Sequence, residues 1–264
     1  MPPAKRRART YNSARIREAV TRQFAHVHEA VRGLGAEQLA APAGLGEWTV
    51  RDLAAHLTMA VGSVSRALDA PEPTGRPMEL LGYPQRTAEF GEAIAEGSHA
   101  LAERSTDLVA LYDEVAELFA ERIAGAPDGR LLAVRSGAIT LADYLVTRTV
   151  ELVVHTDDLN RATGLDIPLE RQAVAACTRL LADTLADRAP GASTEVRIPP
   201  YAVVQCIEGP RHTRGTPPNV VETDPLTWIR LATGRMDWQS ALDAASVAAS
   251  GERADLSALL PVMR

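Results

Sequence analysis

Apolar residues recur at spacings of three and four along much of the first 165 residues. Within residues 14–34 they form a single stripe, which predicts an amphipathic helix. The stripe consists of Ile16, Val20, Phe24, Val27, Val31 and Leu34. The same spacing predicts further helices over residues 50–68, over much of residues 84–124 and over residues 140–163.

Polar residues mark where two of these helices begin. Thr49 with Asp52, and Thr140 with Asp143, have the spacing of an N-cap and its capping-box partner. The helix that begins after Thr140 is predicted to end near Gly164, because glycine readily takes the conformation that closes a helix. Four helices joined by mostly short connections predict a helix bundle.

The pattern changes after residue 165. Residues 168–188 predict one more helix, whereas residues 194–224 hold short runs of β-forming residues cut by proline and glycine, which predict strands. Asp224 before Pro225 predicts the start of a short helix. Residues 241–261 predict a helix, an edge strand near residues 246–250, a glycine turn and a last helix.

Together these elements predict two domains and a tail. Residues 13–165 form an all-α four-helix bundle, and residues 166–264 form a smaller α+β domain. Residues 1–12 include the basic run AKRRAR and are predicted to be a solvated, disordered tail.

Composition narrows the class of protein. The net charge of −6 argues against broad nucleic-acid binding. No apolar run reaches the length of about 18 residues that a membrane span needs, and no apolar run follows the basic start as it would in a signal peptide. Cys177 and Cys206 lack the spacing of a metal or redox motif. We therefore expect a cytoplasmic protein with two unreactive thiols.

Polar residues interrupt the apolar stripe of the 140–163 helix. The stripe consists of Leu141, Tyr144, Leu145, Leu152 and Leu159. Arg148, Glu151, His155 and Asp158 lie on it or beside it. Residues four apart differ by about 40° around a helix, so Glu151 and His155 project side by side. His56 lies in the same way on the apolar face of the 50–68 helix.

Two interpretations explain how the charge of a carboxylate buried on this face would be compensated. In the first, Arg148 pairs with Glu151 or Asp158 in a structural network, because an unpaired buried carboxylate costs several kcal/mol. In the second, His56, Glu151 and His155 hold a divalent metal, since two imidazoles and one carboxylate with an open position form the ligand set of a catalytic zinc. Asp158 would then orient a ligand or act as an acid–base residue.

Two segments resemble a known family. GEWTVRDLAAHL (46–57) is similar to the helix start of DinB-like bundles, and RTVELVVHTDDL (148–159) resembles the metal helix of mycothiol-dependent maleylpyruvate isomerases. The resemblance implies a DinB-like bundle in which His56, Glu151 and His155 bind the metal. The segments LTWIRLATGR (226–235) and ASGERADLSALLP (249–261) resemble a bacterial sterol-carrier-like domain.

The resemblance also implies an activity. Such enzymes use mycothiol, a thiol of actinobacteria, as cosubstrate with a divalent metal, expected here to be zinc, although this ligand set also accepts other divalent ions. A metal-bound thiolate would add to a small electrophilic, anionic substrate, so the protein would be an isomerase or an S-transferase. Asp158 would move a proton, and Arg235 would hold the anionic substrate unless it is a solvated helix-end residue.

Two alternatives to an enzyme stay open at this point. The second domain could bind an apolar ligand in a cavity confined to residues 169–264, with the bundle as a scaffold. A structural metal site would have its fourth position filled by protein. The chain is expected to be a monomer or a homodimer.

The remaining aromatic and histidine residues are expected to be structural or exposed. Trp48, Trp228 and Trp238 are predicted to be packing residues. The histidines outside the proposed site are not expected to form one; they are His26, His28, His99 and His212.

Overall fold

Helices make up most of the N-terminal part of the protein. The computed structural model describes residues 9–209 and 218–263. Its helices up to residue 165 are α1 (Ser13–Arg32), α2 (Ala36–Ala40), α3 (Val50–Asp69), α4 (Tyr83–Arg86), α5 (Gly91–Arg104), α6 (Leu108–Ile123) and α7 (Leu141–Thr163). Helices α1 and α3 pack against each other and each packs against α6 and α7, and α5 packs on α3. The predicted bundle is confirmed.

Both predicted N-caps form, and of the two predicted capping boxes that of Thr49 and Asp52 is complete. The Thr49 side chain accepts a hydrogen bond from the backbone of Asp52, whose carboxylate in turn accepts one from the backbone of Thr49. The Thr140 side chain accepts from the backbone of Asp143. Gly164 closes α7 in the left-handed conformation, with φ of 71°. Thr140 and Gly164 therefore fix the two ends of α7, the helix that carries Glu151.

A four-stranded sheet and three helices follow. The helices are α8 (Arg171–Arg188), α9 (Pro225–Ala232) and α10 (Trp238–Asp243). The strands are β3 (Thr194–Ile198), β4 (Ala202–Cys206), β5 (Val220–Thr223) and β6 (Val247–Ser250), in the order β4-β3-β5-β6. Strands β3 and β5 are parallel, and the other neighbours are antiparallel. The predicted edge strand near residue 250 is therefore confirmed, as is the α+β character of this part.

Helix α8 joins the two parts. It contacts α1 and α7 on one side and β4 and α9 on the other. One hydrophobic cluster runs without interruption from Ile16 to Val262 and includes Leu180 and Leu181 of α8. The domain boundary near residue 165 stays a prediction. Within the described residues, no helix is long and apolar enough to cross a membrane.

Two elements differ from the sequence prediction. A hairpin of β1 (Leu131–Val134) and β2 (Gly137–Thr140) precedes α7, where no strand was predicted. The predicted last helix is wrong: only a 3-10 turn, Ser257–Leu259, forms there. Pro261 explains this, because a proline disfavours helical backbone at the residue before it and leaves too few residues for a helix.

Part of the predicted tail is ordered by contacts. The guanidinium of Arg9 pairs with Asp183 of α8 at 2.7 Å, and Asn12 caps α1. Residues 1–8, with Lys5, Arg6 and Arg7, lie outside the described residues, and so does His212.

Replacing Gly164 by alanine tests the closure of α7. A Cβ atom at Gly164 would meet nothing within 4 Å, so the positive φ alone should cost about 1 kcal/mol of unfolding free energy. Chemical denaturation measures this. The matched control is Gly91→Ala, which also meets nothing within 4 Å but has a helical φ of −54°. We expect the control to be neutral or stabilising; equal effects of the two changes would contradict the assignment.

Candidate metal centre

Three possible metal ligands meet between α3 and α7. The ligand atoms of His56, Glu151 and His155 all lie within 4.8 Å of one another. Oε2 of Glu151 lies 3.5 Å from Nε2 of His56 and 3.6 Å from Nε2 of His155. Among the described residues, this group of possible ligands consists of these three side chains.

The second nitrogen of each imidazole is already held. Nδ1 of His155 donates to the carboxylate of Asp158 at 3.0 Å, and Nδ1 of His56 lies 3.2 Å from the hydroxyl of buried Ser98. A proton on each Nδ1 leaves each Nε2 as an acceptor that faces the Glu151 carboxylate. Nε2 of His56 is buried and has no hydrogen-bond partner in the described structure. Converging acceptors with an orphaned nitrogen fit a bound cation.

Tyr83 and Arg148 hold the other oxygen of Glu151. The Tyr83 hydroxyl donates to Oε1 of Glu151 at 2.9 Å, and Arg148 lies 3.7 Å from the same oxygen. Arg148 is buried, donates to the Tyr83 hydroxyl and lies 4.4 Å from the centre of the Tyr144 ring. The two oxygens of Glu151 thus have separate tasks, because Oε1 is anchored and Oε2 faces the imidazoles.

The charges of the group favour a cation. Burial alone would raise the pKa of Glu151, but its contacts with His155 and His56 and the charge of Arg148 hold that pKa well below its ordinary value. Burial lowers the pKa of His56. Burial also disfavours charge on His155, yet Asp158 and Glu151 outweigh it and raise the pKa of His155. The carboxylates therefore stabilise positive charge at this place.

Two consecutive aspartates of α7 bind arginines from the C-terminal part. Asp157 accepts two hydrogen bonds from Arg230 of α9, at 2.6 and 2.8 Å. Asp158 is fully buried and pairs with Arg235, just after α9, at 3.0 Å, and also with Arg161. Burial opposes ionisation of Asp158, but His155 and Arg235 lower the pKa of Asp158 below its ordinary value. Asp158 therefore connects the histidine to the C-terminal part.

Two cavities reach the group of ligands. One, of about 260 Å³, is bordered by Trp48, His155 and Arg235 and lies between the bundle and the C-terminal part. The other, of about 330 Å³, is bordered by α3, α7 and the β1–β2 hairpin. Both cavities touch His56 and Glu151. Small molecules therefore have access to His56 and Glu151 from two sides, and to His155 from the first cavity.

The structure places the predicted residues as follows. Arg235 lines the first cavity and is bound to Asp158, so the alternative of a solvated helix-end residue is wrong. The Trp48 ring packs 5.2 Å from the His56 ring, measured between centroids. Trp228 and Trp238 lie in the core as predicted. The His99 side chain is exposed, also as predicted.

Two other histidines lie outside the candidate metal centre and contact other residues. His26 bonds to the carbonyl of Pro168, and His28 stacks on Tyr112.

Sequence reasoning missed three residues of this centre. Tyr83, Ser98 and Arg230 carry no motif, because each reaches the group from an element whose position depends on tertiary packing. The only available signal for Arg230 was the pair Asp157–Asp158, whose two carboxylates require two partners once they are buried.

Solved structures with the same fold include an enzyme that uses mycothiol. The crystal structure of the mycothiol-dependent maleylpyruvate isomerase aligns over 93% of this chain and 95% of the isomerase chain, with 16% sequence identity and a TM-score of 0.58. A mutant of that isomerase, with a histidine replaced by alanine, gives the same coverage, 15% identity and a TM-score of 0.57. Identities this low show a shared fold.

A third solved chain is less similar. YfiT from Bacillus subtilis, described as a probable metal-dependent hydrolase with an unusual four-helix bundle topology, has 21% identity and a TM-score of 0.34. The alignment covers 62% of this chain and 97% of the YfiT chain. No curated protein matches the sequence significantly.

Family models match both parts of the chain. The model described as bacterial SCP ortholog matches residues 170–262. The model described as mycothiol maleylpyruvate isomerase N-terminal domain matches residues 20–160, which include His56, Glu151 and His155 and exceed half of the chain. The chain therefore belongs to the mycothiol maleylpyruvate isomerase N-terminal domain family, with a bacterial SCP-like region after it.

Proposed function

We propose that the protein is a metal-dependent enzyme that uses mycothiol to isomerise, or to add a thiol to, a small anionic electrophile. The observation that carries this proposal is the convergence of His56, Glu151 and His155 on one point that two cavities reach. The family supports the thiol. The fold of the isomerase extends over nearly all of the chain and supports a shared arrangement of both parts.

His56, Glu151 and His155 would hold the metal. A divalent ion bound there would lower the pKa of a thiol and favour its thiolate. Tyr83 and Arg148 fix the carboxylate of Glu151, so that Oε2 stays turned toward the imidazoles. Absence of a fourth protein ligand among the described residues supports an enzyme over a structural site, because it leaves a position for the thiol.

Asp158 orients His155 in this proposal. Its carboxylate accepts a hydrogen bond from Nδ1 of His155 and is held ionised by Arg235 and Arg161. A carboxylate with a lowered pKa is a poor proton donor near neutral pH, so the contacts favour orientation over proton transfer. Arg235 borders the cavity beside His155 and Trp48, where its remaining N–H groups can meet an anionic substrate.

An apolar-ligand carrier is the second candidate function. A cavity of about 730 Å³ is lined by residues between Leu231 and Pro261, within the part of the chain where this alternative requires it. Trp238 borders the cavity, so binding of an apolar ligand would change tryptophan fluorescence. A carrier would show this change without any thiol-dependent turnover.

Metal analysis of single-site variants tests the ligand set. We expect one divalent ion per chain in the parent, and affinity losses of more than about 100-fold in His56→Ala and Glu151→Ala, because each change removes a ligand. Elemental analysis and competition with a chelator measure both quantities. His99→Ala is the control, since the His99 side chain is 66% exposed. Parent-like metal binding in either variant of the ligand set would refute the assignment.

Turnover with mycothiol tests the reaction. We expect the metal-loaded protein to convert maleylpyruvate to its trans isomer, or to a thioether, only when mycothiol is present, since the thiol is the proposed nucleophile. Chelation or Glu151→Ala should reduce the rate to that of the uncatalysed reaction. Chromatography separates the isomer from the thioether and so distinguishes isomerase from transferase. Turnover that is independent of thiol and metal would contradict the proposal.

The pH dependence of stability tests the contacts of Asp158. Its lowered pKa means that its stabilisation is present above the ordinary aspartate pKa of about 4 and is lost as pH falls through the folded-state pKa. Asp158→Asn should therefore cost about 2–3 kcal/mol of unfolding free energy at pH 7 in metal-free protein, and less below pH ~4. Denaturant unfolding across pH measures this, with exposed Asp187→Asn as control. A cost that does not change with pH would exclude the ionised contact.

A further inference from the structure

The larger of the two cavities at the metal centre is an elongated cleft along α3. Its lining runs along α3 from His56 to the C-cap residue Ala70, a separation of 14 residues or about 21 Å. The opposite walls come from α4, from the residues after it and from the β1–β2 hairpin. One end of the cleft is therefore the candidate metal centre, and the other opens beside the hairpin.

Arginines give this cleft a positive charge. Arg66, Arg86, Arg135 and Arg148 line it, in a chain whose net charge is −6. Among the described residues, Glu151 at the metal end is its only acidic lining residue. Arg148 is committed to Tyr83 and Glu151. The other three guanidinium groups leave positive charge at the part of the cleft away from the metal centre.

Two of these arginines are free to bind a ligand. Arg66 and Arg135 are exposed, and neither side chain has a hydrogen-bond or ion-pair partner within residues 9–209 and 218–263. Arg86 donates to the carbonyl of Ser136 at 2.6 Å, which holds it against the hairpin, and it lies 3.8 Å from Glu89. Two guanidinium groups without acidic partners, beside a third that is held against the hairpin, favour a carboxylate or a similar anion.

The section between the two ends is mostly apolar. Met59, Ala60, Ala67, Phe90, Ile94 and Val134 contribute to its walls. Apolar walls favour a ligand whose body is hydrocarbon, because burial of that body removes apolar surface from water. Polar groups of a ligand would therefore be bound at the two ends of the cleft.

We infer that this cleft binds the electrophile as a carboxylate with an apolar body, whose anionic end lies between Arg66, Arg86 and Arg135. The reactive carbon would then lie toward His56 and Glu151, and an anionic group at that end of the substrate would meet Arg235 in the smaller cavity beside Trp48. This assignment of a substrate rests on the proposed function. The binding of an apolar carboxylate in the cleft does not require turnover and can be measured alone.

Octanoate is a suitable unreactive probe, and calorimetry with the full chain measures its affinity. We expect the double change Arg66→Gln with Arg135→Gln to weaken octanoate binding about tenfold or more, because two charged donors are lost. Octanamide, which has the same body without the charge, should bind the parent about tenfold more weakly than octanoate and should not respond to the double change. Arg15→Gln, at an exposed position of α1 outside the cleft, should leave both affinities unchanged.

The possible outcomes separate this inference from the proposed function. An octanoate affinity that is absent, unchanged in the double variant, or equal to that of octanamide overturns the cleft assignment; unchanged binding would indicate the cavity near Trp238 instead. Metal content is measured on the same samples, and the arginine changes should leave it intact. A parent that holds no metal but binds octanoate through Arg66 and Arg135 supports the cleft and refutes the metal-dependent enzyme.

Discussion

Burial of one carboxylate inside a helix bundle constrains the whole centre. Glu151 lies on the inner side of α7, and its charge is stable there only because Tyr83 and Arg148 hold one oxygen while His56 and His155 face the other. This arrangement leaves Nε2 of His56 buried and without a hydrogen-bond partner among the described residues. A divalent ion bound to His56, Glu151 and His155 would satisfy that nitrogen, because it would supply positive charge where the three ligand atoms converge.

The same logic connects the two parts of the chain. Asp157 and Asp158 follow the ligands on α7, and each is neutralised by an arginine from α9 or the residues just after it. Since Asp158 also holds His155, any movement of the C-terminal part would be transmitted to a ligand. In this chain, the C-terminal part therefore supplies positive charges that neutralise the two aspartates of α7 and keep the imidazole of His155 oriented.

Much of this was predictable from spacing. The caps at Thr49 and Thr140, the stop at Gly164 and the inward position of Glu151 and His155 depend on local rules, and the structure has them where those rules place them. The hairpin before α7 was missed because its strands are only four residues long, too short for a clear alternation. The contacts of Tyr83 and Ser98 could not be predicted from the sequence, because they depend on how distant segments pack.

X-ray absorption of the metal-loaded protein, before and after addition of mycothiol, tests the central claim most directly. We expect a shell of nitrogen and oxygen neighbours at about 2.0–2.1 Å that loses one nitrogen in His56→Ala, and a new sulfur neighbour at about 2.3 Å once the thiol is added. A spectrum that stays free of sulfur at saturating mycothiol, or that is unchanged by His56→Ala, would contradict a metal held by these side chains with a position open for the thiol.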